Sequence, residues 1–218
     1  LLITPKIDPE NSILSKEILV DDFDSYDFLF RVLIGAYVMG FSQLIIKSSK
    51  KFKTEFRDCV INFTKIVIGP EIIEESNNYI LIKDLLNPKE MPFNKTIKRM
   101  YIICESMHID ALSSLKKGDK SLAKDVIERD NEIDLLHWLI ARQSSIVLRD
   151  IILSQKLGIS LDDAKYYQFM SKFLERIGDH AVKIAQNILQ VIDVNLDQRL
   201  INEIDEASKK SIELLNNS

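Results

Sequence analysis

Two stretches decide how this chain folds: LERIGDHAVKIAQNI at 174–188 and RDNEID at 129–134. Neither contains proline, and around each the apolar residues recur at helical spacing. In a helix expected over 161–193, Phe173, Ile177, Ile184, Ile188 and Val191 fall into one stripe, with Glu175 and Asp179 on the opposite side. In a helix expected from 120 to about 156, Val126, Ile133, Leu136, Ile140 and Val147 form the stripe, and Asp130 and Asp134 lie on its flank. Residues four apart on a helix are neighbours at about 5–6 Å, so each carboxylate pair offers two oxygens on one side. For an arbitrary acidic pair a solvated face is the commoner outcome. Two such pairs on successive helices point instead to a cation surface at Asp130, Asp134, Glu175 and Asp179, since oxygen-only donor sets suit hard or intermediate ions.

Working outward, Pro92 opens a helix to about Lys117, which Gly118-Asp119 breaks before the helix carrying RDNEID. Leu157-Gly158 stops that helix, and Ser160 is placed to cap the next. A fourth helix runs from about 197 and still reads as helix at Leu215, so it is expected to continue beyond Ser218. Short breaks between long helices give antiparallel neighbours in a bundle.

Upstream of Asn87-Pro88-Lys89-Glu90-Met91-Pro92 the pattern changes. KEILVDD at 16–22 and SQLIIKS at 42–48 read as strands around a helix at 25–39. A helix over 52–67 gathers Phe52, Phe56, Cys59, Val60 and Phe63 on one face. EIIEES and YILIKDLL then form a hairpin about Asn77-Asn78. The expected class is therefore α+β: a small β-α-β-α-β-β domain over residues 1–90, its sheet covered by helices on one side, then a mainly α, antiparallel helix bundle over 91–218. Gly35, Gly40 and Gly69 have no nucleotide-binding spacing.

With 33 acidic against 29 basic residues and a net charge of −4, the chain carries no nucleic-acid footprint as a whole. Cys59 and Cys104 are far apart and read as reduced core thiols, which fits a cytoplasmic setting. LLITPKIDPENS lacks the features of a secretory signal. The most apolar run, FLFRVLIGAYVMGFSQLII at 28–46, holds Arg31, so it reads as helix followed by strand and no membrane insertion is expected. No Met precedes Leu1, and residues are expected upstream.

The segment Glu175-Arg176-Ile177-Gly178-Asp179-His180-Ala181, followed by Ile184, Ala185 and Asn187, resembles the signature of PhoU-domain proteins, helical regulators of phosphate uptake. The likeness covers roughly residues 92–193, with an extra N-terminal α/β region of archaeal-like form. In that family E/D-x-x-x-D motifs hold multinuclear metal clusters, and the resemblance assigns Asp130 with Asp134 to the first motif and Glu175 with Asp179 to the second. Only one complete pair of motifs is present, where the bacterial pattern has two repeats. The resemblance implies divalent or trivalent metal ions, as a multinuclear iron or zinc cluster. It further implies a role in phosphate homeostasis exerted on a phosphate transporter or signalling protein. It assigns no catalytic residue and no organic cofactor. DNA is expected only through an upstream domain outside this chain.

An alternative from another class is a carboxylate-bridged di-metal enzyme, an oxidase or phosphatase. Asp134 and His137 form one D-x-x-H where di-iron bundles need two, and only Arg176 and His180 lie near to stabilise phosphoryl charge. A purely structural bundle is the third reading. Asp110 is a candidate supplementary ligand, His108 reads as surface and Trp138 as helix packing. Exposed apolar residues such as Phe169 and Trp138 lead to the expectation of a homodimer.

Overall fold

The computed structural model describes residues 14–191 and 197–216. Strands β1 (Ser15–Leu19), β2 (Gln43–Lys47), β3 (Pro70–Glu75) and β4 (Tyr79–Asp84) make one sheet in the order β1-β2-β4-β3. β1 and β2 are parallel, joined through helix α1 (Tyr26–Val38), while β4 runs antiparallel to both β2 and β3. Period-2 alternation sets the register: Leu44 faces Ile82 and Ile46 faces Ile80, and all four are buried. The first strand is shorter than its apolar run, because Val20–Asp22 turn as a 3-10 helix. Its Asp21 carboxylate accepts from Ser48 Oγ at 2.9 Å and the Ser49 N–H at 2.6 Å.

Ser25 caps α1 by accepting from the Phe28 N–H. Helix α2 (Thr54–Ile66) packs on α1 and buries Phe56, Cys59, Val60 and Phe63, the face the sequence picks out. The long apolar run at 28–46 is divided at Gly40, whose φ of +82° makes the turn into β2. Among the described residues no helix is long and apolar enough to cross a membrane.

Five further helices follow: α3 (Phe93–Lys117), α4 (Lys120–Arg149), α5 (Ile151–Leu157), α6 (Leu161–Val191) and α7 (Gln198–Asn216). The helix expected to reach about 156 is thus two, since Asp150 leaves the helical conformation and caps α5 by accepting from the Leu153 N–H at 2.9 Å. The molecule forms two compact units. One comprises the chain through Glu90 together with Ala141–Ala164, and the other comprises Met91–Ile140 and the chain from Lys165.

The first unit is closed by a residue that the sequence reading passes over. Arg142, 2 % exposed, donates from Nε at 3.0 Å and Nη2 at 2.5 Å to Asp84 Oδ2, from Nη1 to the Tyr37 carbonyl at 2.6 Å and from Nη2 to the Phe41 carbonyl at 2.9 Å. Its guanidinium also stacks on the Tyr37 ring, 4.8 Å from the centroid. In the second unit α3 and α6 run parallel, with Cys104 Sγ on the Leu174 carbonyl and His108 Nε2 on that of Ile177. α4 runs against both: Arg99 pairs with Glu132, Arg129 with Asp110, and His137 with Ser171. Three helices in up-down-up order make its core, and α7 packs on α3, where Lys116 meets Asp205 at 2.7 Å.

Candidate metal centre

The sequence places the α6 carboxylates opposite the buried stripe, and the structure corrects this. The buried face of α6 is Ser171, Leu174, Gly178, Ala181, Ala185 and Ile188, mostly small residues, while Phe173 is 58 % exposed. Small side chains let the backbone come close to α4: a Cβ built on Gly178 stands 3.5 Å from both Asp130 Oδ1 and the Ile133 side chain. Glu175 and Asp179 therefore border the buried face and are half-buried. On α4 the expected stripe holds, with Val126, Ile133, Leu136, Ile140 and Val147 all buried and Asp130 and Asp134 half-buried beside it.

The four carboxylates feel one another. Burial, then the charges of Asp130, Glu175 and Asp179, push the Asp134 carboxyl up to about 6. Burial and Asp179 raise Asp130. Burial, Asp179 and Asp130 raise Glu175, against the opposing pull of Arg176 and Lys172. Asp130 Oδ1 is buried and accepts no hydrogen bond. A buried acceptor left unpaired is costly, and a cation is one partner that satisfies it. The donor chemistry, the orphaned oxygen and the hollow over Gly178 fit a hard or intermediate ion. The carboxylates do not converge as a closed chelate: among the described residues no three His, Cys, Asp or Glu side chains meet closely enough to hold an ion.

The remaining candidates are engaged elsewhere. His137 Nδ1 lies 3.1 Å from Ser171 Oγ, and burial and Lys172 keep its pKa low. Asp110 is held by Arg129 at 2.5 Å. His180 is exposed. His108, expected at the surface, is half-buried on the Ile177 carbonyl, and burial lowers its pKa. Trp138 is half-buried, whereas Phe169 is 65 % exposed.

Both carboxylate pairs fall inside a match to the PhoU domain family model over residues 97–188. This part of the chain is similar to the PhoU domain. The chain as a whole is similar to a protein of Borreliella burgdorferi described as a phosphate-specific transport system accessory protein PhoU homolog. The two are 25% identical over 190 residues, which is 83% of this chain and 78% of that relative. The likeness thus reaches beyond the PhoU domain itself. No solved structure matches the chain significantly.

Proposed function

We propose that this protein is an accessory regulator of phosphate transport. Its PhoU domain holds divalent or trivalent ions through Asp130, Asp134, Glu175 and Asp179, and it acts in the cytoplasm on a transporter or signalling protein without catalysis of its own. The observation that carries the reading is the PhoU match over 97–188, which contains both carboxylate pairs and the unpartnered Asp130 oxygen. The similarity to a phosphate-transport accessory protein supports the phosphate assignment. When bound, iron or zinc ions supply positive charge that offsets the repulsion among the four carboxylates. Asp130 and Asp134 present their oxygens from α4, Glu175 and Asp179 from α6, and Gly178 leaves room between the helices. Arg176 and Lys172 moderate the charge on Glu175.

Elemental analysis of chelator-free protein, together with melting curves, tests the metal part. An ion that binds only the folded state stabilises it by about 2.7 kcal/mol at a hundredfold excess over its dissociation constant. Iron or zinc should raise the melting temperature, and Asp130→Ala or Glu175→Ala should cancel the gain. No metal-dependent shift, with alanine variants that lose stability, would sink it. Phosphate uptake in cells lacking their own regulator tests the role: wild type should change uptake and Glu175→Ala should not. Turnover of a generic phosphate ester, or oxygen consumption with ferrous iron, would overturn the non-catalytic assignment.

A further inference from the structure

Around α6, at about 100° per residue, four strips follow one another. After the buried small-residue face and the Glu175/Asp179 pair comes a row of exposed cations, Lys172, Arg176 and Lys183. Next to it runs an apolar stripe: Tyr166 at 69 %, Phe169 at 65 %, Met170 at 36 % and Phe173 at 58 % exposed. The Phe169 and Phe173 rings lie 6.3 Å apart on it. The stripe spans about 10 Å of helix; Lys172 and Arg176 flank its C-terminal end, and Lys183 lies about 15 Å beyond Phe173. Large aromatic side chains left in water side by side, rather than scattered singly, mark a contact surface.

We propose that this face is the docking surface for an amphipathic helix of a partner protein that carries acidic residues along one edge. The spacing Tyr166, Phe169, Met170, Phe173 is i, i+3, i+4, i+7, the width of one facing helix. The cation row borders that seam on one side only, so the complementary helix has carboxylates on the edge that meets it. A second copy of this chain and an anionic bilayer are the alternative occupants, and the test below separates them from a partner helix. An anionic bilayer wants a broad apolar face, and a chain of net charge −4 is repelled from it. The inference deepens the partner-mediated reading above and rests on it.

The test uses the full chain and two synthetic amphipathic helices with a leucine seam, one edged with glutamate and one with lysine. The glutamate-edged peptide should bind at least about tenfold more tightly than the lysine-edged one and weaken with added salt. Phe169→Ser with Phe173→Ser should abolish binding while the melting temperature holds, because both rings are exposed. Arg176→Glu with Lys183→Glu should reverse the preference. Equal binding of both peptides, binding untouched by the serine variants, or no binding at all overturns the proposal. So does preferential, serine-sensitive binding to phosphatidylglycerol vesicles. A dimer in sedimentation that the serine variants dissolve shows that a second copy covers the face. If the peptides fail while wild type changes phosphate uptake and Glu175→Ala does not, the docking inference falls alone; if wild type leaves uptake unchanged as well, the functional reading falls with it.

Discussion

Replacing Arg142 by Met leaves the Asp84 carboxylate and the Tyr37 and Phe41 carbonyls without their donor in a buried place. Removing one partner of such a pair costs about 3–5 kcal/mol, and denaturant midpoints should show a loss of that size. Nothing in Leu139-Ile140-Ala141-Arg142 names the partner, which lies 58 positions upstream, so the role of this charge is not legible in its neighbours. The histidines give a pH prediction. His108 is held below the ordinary imidazole range by burial and His180, and His137 by burial and Lys172. Both are favoured neutral in the fold, while the unfolded chain takes up protons near pH ~6.5. Their stabilisation is present above that pH and is lost as pH falls through the lower folded values. In chelator, His137→Gln should therefore lose less stability than wild type between about pH 7 and 5. Asp134, raised to about 6, acts in the opposite sense in both proteins and cancels from the comparison.

Helix existence, order and most ends were readable because proline, glycine and capping residues sit where the chain turns: Gly118 with φ +66° ends α3, and Asp119 accepts from the Ser121 and Leu122 N–H groups to begin α4. The break at Asp150 was not, since Ile151, Ile152 and Leu153 continue an apolar run and no glycine or proline interrupts it. The available signal was the capping aspartate itself. Asp150→Ala should cost about 1 kcal/mol, the usual worth of an N-cap, measurable as a shift in denaturant midpoint. On α6 the stripe expected to be buried holds at Ile188 but fails at Phe173, which is exposed. Close approach of α4 selects Gly178, Ala181 and Ala185, and the bulky Phe169 and Phe173 are left outside. The carboxylate spacing was legible; its half-buried setting was not, because it depends on which face a neighbouring helix occupies.

Across the whole chain, the division at residue 90 follows a change of pattern, yet the compact unit that holds the sheet also takes in Ala141–Ala164. A nick in the exposed stretch around Asn87 and Lys89 should consequently leave both fragments together on gel filtration without denaturant. Fragments that separate freely would show that Arg142 and its neighbours contribute little. Sequence periodicity carries no information on such a return, since it reports neighbours within about four residues. Protein synthesis meets the same separation in time. Asp84 leaves the ribosome 58 residues before Arg142, and at about 5–20 residues per second that interval is about 3–12 s. Throughout it the nascent sheet exists without its guanidinium, and the unit that begins the chain is closed only after residues 91–140 of the other unit have been made.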